Sequence, residues 1–141
     1  QRTAMVLKLR NTFSRLADDL IAAGKKDSAQ KVLDKIVDLM PQKKYPYDIF
    51  MFSIIEGYYK LNETQKANDI VEKYINVTVQ KIRYYISLGD KFVGVNDYDL
   101  QVAFQTLQQL SSVADAYGQK EVAEKANTAF NELLRKLRPG E

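Results

Sequence analysis

The sequence of 141 residues contains no cysteine, no histidine and no tryptophan. The absence of cysteine excludes disulfides and thiol chemistry, and the absence of cysteine and histidine together excludes zinc sites of the usual ligand types. Without histidine, the chain also lacks the commonest general base of enzymes. Paired carboxylates such as Asp18 and Asp19 come with no nucleophile, ligand loop or glycine-rich phosphate cradle. We therefore expect no catalytic residue, no metal and no cofactor, and we interpret the chain as a non-enzyme.

Glycine and proline are also scarce, with six and three residues respectively. The long stretches between these residues favour an all-helical fold over one built from strands and turns. Long hydrophobic runs are absent as well. The longest nearly apolar run, residues 49–55, is far shorter than the approximately 20 residues that cross a bilayer, and no signal-peptide pattern opens the chain. Because it begins with Gln1 rather than Met, we expect a fragment of a longer protein.

The main positive feature is a repeated pattern of large and small residues. It occurs first at Phe13, Leu16, Ala17, Leu20, Gly24, Ala29, Leu33, Ile36 and Pro41, and again at Met51, Ile54, Ile55, Tyr58, Asn62, Ala67, Val71 and Tyr74. The pattern is typical of helix-turn-helix repeats, which build stacking surfaces rather than reaction centres. It directs attention to what the chain binds.

The periodicity predicts an all-α fold of about six helices in three antiparallel hairpins. The hairpins correspond to repeat units at about 5–41, 48–88 and 99–137, which form one tetratricopeptide-like short solenoid over residues 1–141. Asp48 is placed to cap the third helix. The fourth helix runs from Glu63 without a breaker to Gly89, which makes it unusually long for such a repeat. A loop is expected from Gly89 to Asp99.

Small residues mark the predicted turns and helix crossings. Gly24 and Gly118 end the first and fifth helices, and Asn62 takes the equivalent position in the second unit, because Asn tolerates the left-handed conformation. Close helix crossings are expected at Ala17, Ala29, Ala67 and Ala123. The third unit places Ser111 and Asn127 where the repeat has apolar or small residues. We interpret it as a capping hairpin with a more polar outer face.

The first helices of such repeats line a concave face, where a peptide could bind. With one exposed tyrosine of the fourth helix, the candidate interaction surface comprises Asn11, Ser14, Asp18, Phe52, Glu56, Tyr59 and Tyr84. Tyrosine provides a large contact area at low entropic cost, but it also fills cores that lack tryptophan. We assign Tyr58, Tyr74 and Tyr85 to the core, whereas Tyr59 and Tyr84 project from the buried stripe. Acidic Asp18 and Glu56 disfavour a clamp for a terminal carboxylate.

The net charge of +3 is spread along the chain rather than concentrated. Most cations have an acid three or four positions away, which is typical of solvated helix faces. We therefore expect no nucleic-acid binding. Polyanion binding remains a third hypothesis, and it would use Lys25, Lys26, Lys43, Lys44, Arg135, Lys136 and Arg138.

Several segments resemble one family of proteins. They are TFSRLA at 12–17, YPYDIFM at 45–51, YY at 58–59, YYISL at 84–88 and YGQKEVAE at 117–124. The chain is similar to the soluble C-terminal region of an uncharacterised family of bacterial multi-spanning membrane proteins, whose membrane part resembles glycosyltransferases of the protein-mannosyltransferase type. The resemblance implies that any catalytic residues belong to a membrane part absent from this sequence. These are packing motifs, and no catalytic residue carries over.

Two hypotheses of function follow. In the first, the chain is a non-catalytic interaction or docking module of a larger membrane protein, and it binds a protein, a peptide or its own membrane domain. In the second, it is an accessory domain of a membrane glycosyltransferase, where Tyr59 and Tyr84 stack on an acceptor or sugar. Under both hypotheses we expect a soluble fragment that is membrane-associated only through a missing N-terminal region. The sequence leaves open the oligomeric state and the side of the membrane on which the chain lies, and an extracytoplasmic location is one of the alternatives.

Overall fold

The described part of the chain forms six α-helices. The computed structural model describes the backbone of residues 2–89 and 97–137 and the side chains of residues 4–89 and 98–137. Its helices are α1 (Arg2–Ala22), α2 (Lys26–Leu39), α3 (Met51–Lys60), α4 (Thr64–Ser87), α5 (Asp97–Ala116) and α6 (Lys120–Leu137). No strand occurs in these ranges, which confirms the predicted all-α class. Residues 90–96 of the loop predicted from Gly89 to Asp99 lie outside the described residues, and residues 97–99 belong to α5 instead of the loop.

The helices belong to two compact units. Unit 1 is Gln1–Ala67 and unit 2 is Asn68–Glu141. The boundary falls inside α4 and therefore inside the second predicted repeat unit, so the single-domain solenoid stays a prediction. With 24 residues, α4 is the longest of the six helices in the described ranges. Its length of about 36 Å confirms the predicted long fourth helix.

The same backbone motif ends α1, α3 and α5. Gly24, Asn62 and Gly118 have φ angles of 78°, 62° and 75°. The amide that follows Gly24 donates to the Leu20 carbonyl at 2.8 Å, and equivalent bonds of 2.9 Å follow Asn62 and Gly118. This is the Schellman arrangement, which satisfies carbonyls at a helix end. The prediction that Asn62 replaces glycine in a left-handed turn is confirmed.

Unit 1 has its core where α1 packs against α2 and α3. Ala17 and Ala29 are completely buried, as predicted for residues at close helix crossings. The periodicity missed a third small residue, Gly57 on α3. A Cβ atom there would lie 2.9 Å from Leu33 Cδ1, closer than real Cβ atoms approach a neighbour. The absence of a side chain at Gly57 therefore lets α2 and α3 approach closely.

Replacing Ala29 with Leu is expected to lower the free energy of unfolding of unit 1 by roughly 1 to 3 kcal/mol, because the site has no room for extra carbons. Ala29 is fully buried, whereas Ala22 is exposed at the end of α1. Ala22→Leu is therefore the matched control. Urea denaturation of both variants measures the difference, and equal stabilities would contradict the assignment of Ala29 to a tight crossing.

Unit 2 is built around the α5–α6 hairpin. The rings of Phe104 and Phe130 meet edge to face with centroids 5.4 Å apart. Ser111, predicted to lie on a more polar outer face, is half-buried, and its hydroxyl donates to the Ala123 carbonyl at 3.0 Å. The serine therefore links the two helices, whereas Asn127 is exposed as expected.

Polar contacts join α4 to this hairpin within unit 2. The Asn68 amide donates to Gln119 Oε1 at 2.9 Å. Lys125 Nζ lies 2.6 Å from Glu72 Oε1, and this hydrogen bond raises the pKa of the lysine. Because both partners of the ion pair are exposed, we expect the pair to orient the helices more than to stabilise them.

Candidate functional site

A buried arginine organises the most distinctive part of unit 1. Arg10 is only 1% exposed, and it continues the buried face of α1 between Val6 and Ser14. These residues are four positions apart, so one helical stripe carries both apolar and polar side chains. The predicted stripe had placed Leu16 in the core instead, but Leu16 is 45% exposed. The buried face of α1 is therefore rotated away from Leu16 and toward Arg10.

The guanidinium of Arg10 has four hydrogen-bond acceptors on the segment between α2 and α3. One nitrogen, Nη1, donates to the Pro46 carbonyl at 2.7 Å and to Asp48 Oδ2 at 2.8 Å. The other, Nη2, donates to the carbonyls of Met40 at 3.0 Å and Tyr45 at 2.7 Å. Arginine suits this position because its planar fork presents several donors in fixed directions. A single side chain thus fastens the segment to α1.

Other contacts hold the same segment. The carboxylate of Asp48 accepts the Phe50 amide through Oδ1 at 2.9 Å, so each of its oxygens has a partner. The prediction that Asp48 caps the third helix was wrong, because α3 begins at Met51 with Phe50 as its N-cap and no capping side chain; Asp48 instead holds the turn before the helix. The Arg10 guanidinium also lies 5.7 Å from the centre of the Tyr47 ring. Burial raises the pKa of Tyr47, and the positive charge of Arg10 partly offsets this rise.

A pocket lies between this segment and α1. Its volume is about 270 Å³, and its walls are Val6, Leu7, Lys44, Tyr45, Pro46, Tyr47 and Asp48. The chain neighbours of two of these residues are exposed and apolar, since Met5 is 64% and Ile49 66% exposed. Pockets that enclose drug-sized ligands measure roughly 300 to 1,000 Å³. This pocket therefore suits one large side chain better than a cofactor.

The pocket offers mainly apolar contacts. Apart from Lys44 and Asp48 its walls are aliphatic and aromatic, and Asp48 is already paired with Arg10. No three acidic side chains among residues 4–89 and 98–137 lie close enough to hold a metal ion together. We name the pocket lined by Val6, Leu7 and residues 44–48 the Arg10 pocket, after the arginine that fastens one of its walls.

A second polar cluster joins α2, α3 and the start of α4 within unit 1. The Tyr58 hydroxyl donates to Asp34 Oδ1 at 2.6 Å, and Lys66 Nζ lies 3.1 Å from the same oxygen. Lys66 also lies 5.9 Å from the centre of the Tyr58 ring. Burial and the Asp34 carboxylate raise the pKa of Tyr58. All members of this cluster satisfy one another, so we assign it a structural role.

The structure corrects part of the predicted interaction surface. Ser14, Phe52 and Tyr59 are buried rather than exposed. The hydroxyl of Ser14 donates to the Asn11 carbonyl at 2.9 Å, which allows a polar side chain to occupy the core. Seven of the ten residues of α3 are buried, Phe52 and Tyr59 among them. An apolar helix of this kind buries more than one face, so neither aromatic ring is available to a partner.

The other four residues of the predicted surface differ in exposure. In unit 1, Asn11 and Glu56 are half-buried and Asp18 is exposed. In unit 2, Tyr84 is 60% exposed on α4, and its ring centre lies 6.0 Å from that of Tyr85. Tyr58 and Tyr74 are buried as predicted, whereas Tyr85 is only half-buried.

Arg10 was not among the site residues predicted from the sequence, although one signal was present. Val6, Arg10, Ser14 and Ala17 follow helical spacing, and an arginine in such a stripe requires a distant acidic or carbonyl partner. The segment after Pro41 could supply both, since it contains Asp48 and lacks the hydrogen bonds of a regular helix. Which face of α1 turns inward depends, however, on packing against α2 and α3.

None of the helices in the described ranges combines the length and hydropathy needed to cross a membrane. Comparison with known proteins finds no match to a family model, to a curated protein or to a solved structure. The resemblance to the C-terminal region of membrane glycosyltransferase-like proteins therefore stays a prediction.

Proposed function

We propose that the chain is a non-catalytic docking module that receives a large apolar side chain of a protein segment in the Arg10 pocket. This proposal is carried by one observation. The pocket is mainly apolar, and its wall of residues 44–48 is fastened by a buried arginine. Four hydrogen bonds from Arg10 hold that wall before any partner arrives. A preorganised site loses less conformational entropy on binding.

The partner in this proposal is a segment of another protein, or of a membrane domain to which the chain is joined. The second alternative follows from the family resemblance and would make the chain membrane-associated through that domain. The competing hypothesis of an accessory sugar-binding domain loses support, because Tyr59, one of its two stacking residues, is buried. Tyr84 remains exposed for that role.

Leu7→Asp is expected to weaken peptide binding by about thirtyfold, the effect of losing an interface residue worth about 2 kcal/mol. The substitution places a carboxylate in an apolar wall. The matched control is Leu16→Asp, since Leu16 lies on the same helix, is exposed and does not line the pocket. Random peptides displayed on phage would be selected on the full 141-residue chain, and the affinities of the selected peptides measured by fluorescence anisotropy.

Circular dichroism of both variants establishes that α1 and its neighbours remain folded. The proposal predicts selected peptides that bind the wild-type chain and Leu16→Asp equally and Leu7→Asp weakly. Selected peptides that bind all three proteins equally would rule out the Arg10 pocket as the docking site. The sugar-binding alternative predicts a different result. The chain would then select no peptide and would bind glycans on an array, and Tyr84→Ala would lose that glycan binding.

A further inference from the structure

The two segments that form the Arg10 pocket carry an excess of positive charge. Residues 5–10 and 41–50, which include all of the pocket walls, contain four Lys or Arg residues and one acid, Asp48. This excess equals the net charge of +3 for the whole chain, so the remaining residues balance to zero. Arg10 and Asp48 neutralise one another in their ion pair, which leaves Lys8, Lys43 and Lys44 as the cations of these residues.

One of these cations stands in the wall of the pocket. Lys44 is exposed, and its Nζ lies 5.9 Å from the centre of the Tyr45 ring, which keeps the ammonium group beside an aromatic wall. Among the described residues, no carboxylate forms an ion pair with Lys44. Lys8 is also exposed and follows the wall residue Leu7 on α1. The pocket therefore combines an apolar interior with a positively charged rim.

We propose that the partner is an acidic peptide segment in which a large apolar residue lies within two positions of Asp or Glu. This inference rests on the docking function proposed above and specifies its ligand. The apolar side chain enters the pocket, and the neighbouring carboxylate pairs with the ammonium group of Lys44. The carboxylate and the ammonium group of such an ion pair are much closer to one another than the Debye length of about 8 Å at physiological salt, so they attract one another in solution. Nucleic acid fits less well, because the pocket is mainly apolar and Lys44 is the one cationic side chain among its described wall residues.

The composition of the selected peptides tests this inference. Peptides captured by the wild-type chain are expected to be enriched in Asp and Glu beside the apolar residue, and their affinity should fall as salt is raised. Lys44→Glu should weaken them by about two- to fivefold, the usual effect of one exposed ion pair, and should select peptides with Lys or Arg at those positions instead. Lys31→Glu is the matched control, since Lys31 is exposed on α2 and does not line the pocket.

The outcomes separate this inference from the proposed function. Peptides whose binding depends on Leu7 but shows no preference for acids and no response to Lys44→Glu would overturn the acidic partner and leave the docking site in place. An equal response to Lys44→Glu and Lys31→Glu would also overturn it, since the effect would then come from net charge. Failure of the wild-type chain to select any peptide would overturn both proposals. Tighter binding of a random single-stranded RNA than of the acidic peptides would replace the peptide by a polyanion.

Discussion

Replacing Arg10 with Met is expected to destabilise unit 1 by about 3 kcal/mol, the low end of the range for breaking a buried ion pair. Arg10 is almost completely buried, and its removal leaves three carbonyls and the Asp48 carboxylate without their donor. Unpaired buried acceptors lose their hydration without compensation. The lower figure is appropriate because the Asp48 side chain is 18% exposed and can regain some water.

The matched control is Arg15→Met, since Arg15 is an exposed arginine on the same helix. This substitution removes the same charge without removing a buried donor, and its effect should be within about 0.5 kcal/mol of zero. A further variant, Arg10→Lys, retains the charge but cannot donate hydrogen bonds to all four acceptors. We therefore expect its stability to lie between those of the wild type and Arg10→Met. Urea denaturation monitored by circular dichroism gives all three values.

Hydrogen exchange locates the effect. In Arg10→Met, the backbone amides of the 41–50 segment should exchange faster. The peptides selected on the Arg10 pocket should also bind more weakly. Equal stabilities of Arg10→Met and Arg15→Met would show that the guanidinium does not fasten this segment. Unchanged peptide affinity in a folded Arg10→Met variant would show that peptide binding does not depend on Arg10.

Raising the pH above 10 is expected to lower the free energy of unfolding, because two buried tyrosines of α3 resist ionisation. Burial raises the pKa of Tyr59 from its ordinary value of 10.0 to about 12. The pKa of Tyr58 is raised further, by burial and by the hydrogen bond to Asp34. The folded chain thus retains protons that the unfolded chain releases. The resulting stability is fully present below pH 10 and is lost as the pH rises from 10 through 12.

The slope of this loss is at most about 1.4 kcal/mol per pH unit for each hydroxyl group. Tyr59→Phe removes one of the two groups and should make the pH dependence shallower by up to that amount. Tyr84→Phe is the control, because Tyr84 is 60% exposed on α4. Urea denaturation at successive pH values, with absorbance of tyrosinate as a second signal, measures both. A slope in Tyr59→Phe equal to that of the wild type would contradict the burial of the Tyr59 hydroxyl.

The predicted turns and helices were largely correct because they depend on local chemistry. Residues able to adopt positive φ at 24, 62 and 118 end helices wherever they occur, and apolar residues at helical spacing identify the segments between them. The small residues Ala17 and Ala29 were recognised as crossing points for the same reason, since few other roles require alanine in an apolar stripe. These features involve residues close together in the sequence.

The candidate site was predicted less well, because its residues meet only through packing. Phe52 and Tyr59 were assigned to a surface from the spacing of one helix, but burial on a second face depends on what covers α3. Gly57 was overlooked because its importance comes from Leu33, on another helix. In each case the deciding contact joins residues distant in the sequence.

The sequence by itself determined six helices, the left-handed turns that end three of them, and the absence of cysteine and histidine chemistry. Only the tertiary structure decided which face of α1 is buried, and with it that Arg10 lies inside and fastens the segment carrying Asp48. Local propensities act over a few residues and can be identified from spacing. Burial of a charged side chain requires acceptors more than 30 positions away to converge on it, and that convergence is a property of the folded chain.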